Sequence, residues 1–330
     1  MIRIGWAALL ALVLAGPAFA EMATSPPDDD DDQKGICEKD KSFTPTEAND
    51  FKTCKSLWGP IGTPQYASGD IDATPVCHTA YVLSHNNVNK TPDWVLERLK
   101  KAQFAGGEDR PTIKFTYDRF VCKDARAVDK QYAGSKMDRG HQAPSADFSS
   151  SVDLMKESFI LSNAVPQQGE GFNRHIWKEF EDLTRGLARE RGELFVITGP
   201  INREDGDEVT IKANQNPCGN EIKLEGPKGR TEICGKDKKC AEGKGVAIPI
   251  ALYKIIYDPK SKRANAYILP NIDHRPLDKS KNSFEYLKKY RVAVRTVEQH
   301  TGLQFFRAIP ARDRKAQIDE CVATMFGRHS

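Results

Sequence analysis

Three short segments hold most of the side chains in this chain that could do chemistry. The first reads Met137-Asp138-Arg139-Gly140-His141-Gln142-Ala143-Pro144. Some twenty residues on comes Leu161-Ser162-Asn163-Ala164-Val165-Pro166-Gln167-Gln168, then Phe172-Asn173-Arg174-His175-Ile176-Trp177-Lys178-Glu179-Phe180-Glu181. Together they offer an imidazole, which titrates near neutral pH, with guanidinium groups, carboxylates and side-chain amides. Asn173 has two readings. At a helix start it is a good N-cap, and its carbonyl is also the hard oxygen that Mg²⁺ accepts. The other histidines have weaker claims. His175 lies two residues past Asn173 and so faces another side of a helix. His78, His85, His274 and His300 lack metal-like spacing. Trp177 reads as core, and the Lys236–Lys239 cluster, interrupted by Asp237, as a solvated loop.

The elements that must position these groups read as strand, loop, strand, loop, helix. In the helix Ile176, Phe180, Leu183 and Leu187 recur at helical spacing and form one apolar stripe. Strand-like stretches are Ala80–Leu83, Thr112–Phe115, Ser158–Leu161, Leu194–Ile197, Ala247–Tyr257 and Ala266–Leu269, rich in β-branched or aromatic residues. Helices are expected over Pro92–Lys101, Asn173–Arg191 and Phe284–His300. The irregular alternation of the two suggests an α+β fold. Residues 203–245, rich in Gly, Lys and acids, read as a long surface excursion stapled by disulfide.

The chain has 330 residues, 39% of them hydrophobic, with 15 Phe and 4 Trp. That is enough apolar surface for a sizeable core, which excludes wholesale disorder. The only long apolar run lies in the first twenty residues, which excludes a polytopic membrane protein. Arg3, the apolar stretch Ile4–Leu14 and Ala18-Phe19-Ala20 follow the grammar of a secretory signal over 1–20. A secreted or periplasmic location is therefore expected, with no membrane contact after cleavage. Residues 21–45 read as an acidic, disordered segment, since Asp28 to Asp32 repel one another. A calcium site there is the alternative, but the run lacks spaced ligands and a turn glycine. The formal charge of +3 gives no sign of a nucleic-acid partner. Without residues 1–32 it becomes 48 basic against 40 acidic residues, or +8. Export makes disulfides the default for Cys37, Cys54, Cys77, Cys122, Cys218, Cys234, Cys240 and Cys321, with the pairing left open.

The three segments together resemble the DNA/RNA non-specific endonucleases, the ββα-metal superfamily typified by the Serratia nuclease. The combination Asp-Arg-Gly-His, Asn-x-x-Pro-Gln and Asn-x-x-x-Trp is specific. The resemblance runs from about Gly62 to Phe306, through Tyr81-Val82-Leu83-Ser84, Thr198-Gly199-Pro200-Ile201, Ile268-Leu269-Pro270-Asn271 and Glu298-Gln299-His300-Thr301-Gly302-Leu303. It implies a ββα-metal nuclease core within residues 46–330, with a central antiparallel sheet flanked by helices and a long disulfide-stapled insertion. It also implies Mg²⁺, for which Mn²⁺ can substitute, DNA and RNA as substrates, and 5′-phosphate products. A homodimer and an inhibitor protein are open as partners.

By the same resemblance His141 matches the general base and Asn173 the one protein ligand to the metal. Glu181 matches the acid that holds a metal-bound water. Arg185 and Arg139 match arginines placed at the scissile phosphate. Asn163 supports the site, and Asp138 anchors the loop. The stretch Gln168-Gly169-Glu170-Gly171-Phe172 is one residue longer than in the Serratia pattern. Two other enzyme readings share this chemistry, a phosphodiesterase for small nucleotides and a nuclease toxin with an immunity partner. A binding protein that has lost catalysis would not keep His141, Asn173 and Glu181 together.

Overall fold

A computed structural model of the chain describes residues 51–326, except 53, 69–70, 105–106, 108–110, 204–207, 228–230, 237–244, 277–282 and 322–323. The expected signal, the acidic segment, Cys37 and Cys240 lie outside the described residues.

The framework is one antiparallel sheet. Its strands are β1 (Ala73–Cys77), β2 (Tyr81–Asn86) and β3 (Thr91–Lys100). A separate hairpin follows, β4 (Met137–His141) and β5 (Ala164–Gln168), then β6 (Glu193–Ile201), β7 (Ala251–Asp258), β8 (Arg263–Pro270) and β9 (Arg291–Val292). The seven-stranded order is β9-β8-β7-β6-β3-β2-β1, with every pair antiparallel. Helix α1 (Val152–Ser158) lies between the hairpin strands in sequence. A π-helical segment, Gly169–Trp177, runs straight into α2 (Lys178–Arg191), which packs on the sheet. Phe172, Ile176, Trp177, Phe180 and Leu187 join Leu194, Val196, Leu252 and Ile256 in that core. The opposite face buries Leu96, Ile197, Tyr253 and Ile255 against Val294, Val297 and Phe305. The fold is α+β.

Several sequence expectations are corrected. Pro92–Lys101 is no helix: residues 91–100 form β3, buried along almost its whole length between β2 and β6. Leu, Glu, Arg and Lys favour helix, but burial between two neighbours overrides that weak preference. Thr112–Phe115 and Ser158–Leu161 are not strands. A single bridge between Thr116 and Ile160 joins these regions. The run from Ala247 to Tyr257 breaks at Pro249, which has no amide to donate, into Val246–Ala247 and β7. Phe284–His300 splits into the helix Ser283–Leu287, a tight turn, edge strand β9 and α3 (Val294–Thr301).

Cys218 is bonded to Cys321, so the insertion is stapled to the C-terminal region. Cys54 is bonded to Cys77 at the sheet edge. Cys122 and Cys234 are also disulfide-bonded. The insertion returns beside the hairpin, where Ile233, Val246 and Ile248 share a core with Tyr132, Leu161 and Ala164. Among the described residues no helix is long and apolar enough to cross a membrane.

Candidate active site

The β4–β5 hairpin presents the Asp-Arg-Gly-His segment, with Asp138 opposite Gln167, Gly140 opposite Val165 and His141 opposite Ala164. Asn163 fixes the far end. It is buried, its carbonyl oxygen accepts from Ala143 N at 2.9 Å, and its amide donates to Ala143 O and Ser158 O at 2.8 and 2.9 Å. Its backbone carbonyl takes Gln142 N. The residue after His141 and the next one are therefore both tied to Asn163, the first to its backbone and the second to its side chain. Phe115 and Phe159 stand against the imidazole, with ring centroids 5.1 and 4.8 Å from it. These two rings come from the segments expected to be strands, and their place beside His141 is what those segments do instead.

The π segment carries Asn173 toward the hairpin. Asp138 Oδ2 accepts from Asn173 Nδ2 at 2.9 Å. A carboxylate can only accept, so this contact sets the amide nitrogen toward Asp138 and turns the carbonyl oxygen away from it. The N-cap reading of Asn173 is replaced. The cap is Gln168, whose side chain accepts from Gly171 N, and Asn173 lies inside the helix. Winding one extra residue into a turn is what a π-helix does, and such segments concentrate at functional sites. Asp273 lies so close to this turn that a Cβ on Gly171 would sit 1.7 Å from Asp273 Oδ1, so only glycine fits there. Phe172 stacks on Trp177 at 5.3 Å within it.

The arginines divide into two kinds. Arg139 pairs with Asp129 and lies over the Tyr132 ring at 5.1 Å. Arg174 is exposed and makes a forked contact with Asp138 at 2.8 and 2.6 Å. Arg185 is 7% exposed and pairs with both Asp147 and Asp182. Its guanidinium is thus taken up by carboxylates inside the protein.

Glu181 projects from α2 among buried charges. Burial pushes its carboxyl up to about 8, with the Asp147 charge adding to that, while Lys254 and Arg185 oppose it. Lys254 is 1% exposed and Glu97 2%. Burial pushes the Glu97 carboxyl well up and the Lys254 ammonium down. The Asp147 charge adds to the rise at Glu97, and Lys254 and Arg185 oppose it. Sequence reading missed this network. Lys254 was visible as a charge inside an otherwise apolar strand run, but Glu97 was hidden by the mistaken helix over 92–101.

The donor chemistry fits a hard divalent cation. Asn173 has a neutral amide oxygen of the kind a hard cation accepts, its amide nitrogen being taken by Asp138. Among the described residues no group of three or more His, Cys, Asp or Glu forms a metal cage. A site built on one Asn would not take that form, because Mg²⁺ keeps most of its waters.

Two antiparallel strands followed by a helix, packed against a large antiparallel sheet, make this a ββα-metal nuclease core. The DNA/RNA non-specific endonuclease family model matches residues 59–312, and the chain belongs to that family. It is 32% identical over 251 residues to a nuclease of Syncephalastrum racemosum, covering 74% of this chain and 70% of the relative. To the mitochondrial nuclease EXOG of Danio rerio it is 30% identical over 264 residues, covering 77% and 67%. A chain in a crystal structure of the EndoG/EndoGI complex superposes with a TM-score of 0.59 at 26% identity, covering 80% of this chain and 94% of that one. The protein is accordingly a nuclease, a hydrolase of phosphodiester bonds.

The secreted or periplasmic location expected from the N-terminus is corrected here. Matched relatives from Danio rerio, Saccharomyces cerevisiae, Homo sapiens and Schizosaccharomyces pombe are mitochondrial nucleases. An apolar leader with one basic residue is too generic a feature to outweigh them.

Proposed function

We propose that this protein is a Mg²⁺-dependent endonuclease that cuts DNA and RNA with little sequence preference, Mn²⁺ being able to substitute. The observation that carries this reading is the Asp138–Asn173 contact. It joins the hairpin that bears His141 to the helix that bears Asn173, and it uses the Asn173 amide nitrogen rather than the carbonyl oxygen. Asn173 would hold the metal, and Glu181 would hold a water on it. When bound, the ion supplies positive charge against the phosphate oxygen and the leaving 3′ oxygen.

His141 takes the proton of the attacking water, which adds to phosphorus in line as the bond to the 3′ oxygen breaks, giving a 5′-phosphate. Phe115 and Phe159 keep the imidazole in one orientation. Arg139 sits on the same strand, within reach of a phosphate. Arg185, already engaged by Asp147 and Asp182, serves as a brace for the Glu181 turn in place of the phosphate contact expected for it. Arginines and an amide offer contacts suited to the nucleic-acid backbone, which is the same in every sequence.

We assign the nuclease domain to residues 46–330. Its partners are DNA and RNA, a second copy of the chain, and an inhibitor protein of the kind bound in the EndoG/EndoGI complex. Its location follows the mitochondrial relatives. The test is digestion of plasmid and RNA with and without Mg²⁺, by the wild type and by His141→Ala. The proposal requires both the metal and the imidazole.

A further inference from the structure

Asn271 ends one of the segments that carry the family resemblance, yet no step above uses it. It stands directly after β8 and is completely buried. Its side chain is fully engaged. Oδ1 accepts from Gln168 N at 2.9 Å, and Nδ2 donates to Pro166 O at 3.1 Å and to Pro249 O at 2.9 Å. Its backbone N donates to Ile250 O at 2.9 Å, which fixes the residue itself to the chain entering β7. One acceptor and two donors on a planar group thus join three stretches of backbone. A carboxylate cannot donate and an apolar side chain can do neither, so only the amide makes all three bonds.

Two of those stretches belong to the site. Pro166 lies opposite Arg139 in the hairpin. Gln168 ends β5 and caps the π segment, and Asn173 follows five residues on. Strand β5 is therefore flanked by one buried asparagine, Asn163, and bonded at its other end by a second, Asn271. The first amides of a helix have no partner inside it. Here the Gln168 amide is taken by Asn271 and the Gly171 amide by the Gln168 side chain. The residues after Asn271 continue along the same segment. Asp273 crowds Gly171, the His274 ring lies 5.6 Å from the Phe172 ring, and Arg275 Nη1 donates to Glu170 Oε2 at 2.7 Å.

We propose that residues 271–275 position the metal site, with Asn271 as their fixed point: together they set where the π segment starts against the hairpin and the sheet, and so where Asn173 stands. This rests on the reading of Asn173 as the residue that would hold the ion. A site with one direct protein ligand depends on the placement of that ligand, because no second side chain takes over when it moves.

The test is calorimetric titration of the intact protein with Mn²⁺ at neutral pH, beside urea unfolding without metal. The proteins are wild type, Asn271→Ala, Arg275→Ala, Asn173→Ala and Asn216→Ala. Asn216 is the control. It is buried too, and its side chain bonds Cys218 N, Asn220 O and Arg291 O, each at 3.0 Å and none of them in the hairpin or the π segment. With three bonds lost in each, Asn271→Ala and Asn216→Ala should lose similar stability. Asn271→Ala should also weaken Mn²⁺ binding by about tenfold, the lower end for losing a support behind a metal ligand. Asn216→Ala should bind as wild type does. Arg275 is exposed and its loss leaves the chain folded. Arg275→Ala should weaken binding about two- to fivefold, in the range of an exposed ion pair, although removing a positive charge by itself favours a cation. It carries the comparison if Asn271→Ala does not fold. Mn²⁺ binding in Asn271→Ala no weaker than in Asn216→Ala overturns the proposal. So does wild-type binding by Arg275→Ala. Mn²⁺ binding unchanged in Asn173→Ala overturns instead the reading of Asn173 on which it rests.

Discussion

Gly140→Ala isolates how the hairpin places His141. A Cβ built on Gly140 lies 2.0 Å from Gln167 Cδ and 2.4 Å from both Cγ and Nε2. Ordinary contact begins near 3.4 Å, so something must move by about 1.4 Å. Gln167 is fully buried and reaches diagonally across the hairpin from its place opposite Asp138, so its side chain has nowhere to swing. The strands must then part or shift. Overpacking of this kind costs about 1–3 kcal/mol. His141 is the next residue, and a displacement of about 1 Å at a reacting group can cost about 100-fold in rate. The assay is kcat/KM on plasmid DNA together with urea unfolding. Gly140→Ala should lose about 100-fold in rate and about 1–3 kcal/mol in stability. Gly140→Ala/Gln167→Ala, which opens the space again, should recover most of the stability and part of the rate. A single variant with wild-type rate and stability refutes the steric argument, and so does a double variant no better than the single.

Other outcomes follow from the same geometry. Asn163→Ala removes three hydrogen bonds to buried backbone and should cost about 3 kcal/mol in urea unfolding, at about 1 kcal/mol each; a loss below about 1 kcal/mol contradicts the stitching role. Burial works to raise the Asp118 carboxyl, but His78, Ser162 and the Phe120 amide overcome it and hold it at about 2. Because that value is depressed, its stabilisation is present above the unfolded carboxyl value of about 3.8 and is lost as pH falls through about 2. At pH 7 Asp118→Asn should cost about 2 kcal/mol in urea unfolding, with the difference from wild type narrowing below pH 4. Cys321→Ser opens a bridge spanning 103 residues and should lower stability by about 2–4 kcal/mol, read by unfolding with and without reductant.

The candidate residues were easier to single out in the sequence than the frame that carries them. Asp138, His141, Asn163 and Asn173 stood out because their side chains cluster in short segments of distinctive spacing. The stripe of Ile176, Phe180 and Leu187 placed the helix correctly, since one face of it is buried and one is not. Strand β3 was misread for the opposite reason. It is buried on both faces, so it has no alternation, and its Leu, Glu, Arg and Lys carry helical preference. Phe115 and Phe159 were read as strand residues because aromatic runs look alike whether they pair in a sheet or pack against an imidazole. Neither the burial of Lys254 and Glu97 in the sheet nor the Asp138–Asn173 contact has a local signature. Each depends on residues far apart in sequence that only the folded arrangement of strands and helix brings together. The N-terminal leader misled in another way, by suggesting an address that the mitochondrial relatives do not share.

The central claim is that His141 activates water beside a divalent ion held by Asn173. The most direct measurement is cleavage of plasmid DNA and of RNA by wild type and by His141→Ala, each with Mg²⁺ and with the metal chelated. The account predicts cleavage of both substrates by the wild type with Mg²⁺, none after chelation, and a loss of at least about 100-fold in His141→Ala that added metal does not restore. Full activity in His141→Ala, or wild-type cleavage undiminished by chelation, would contradict it.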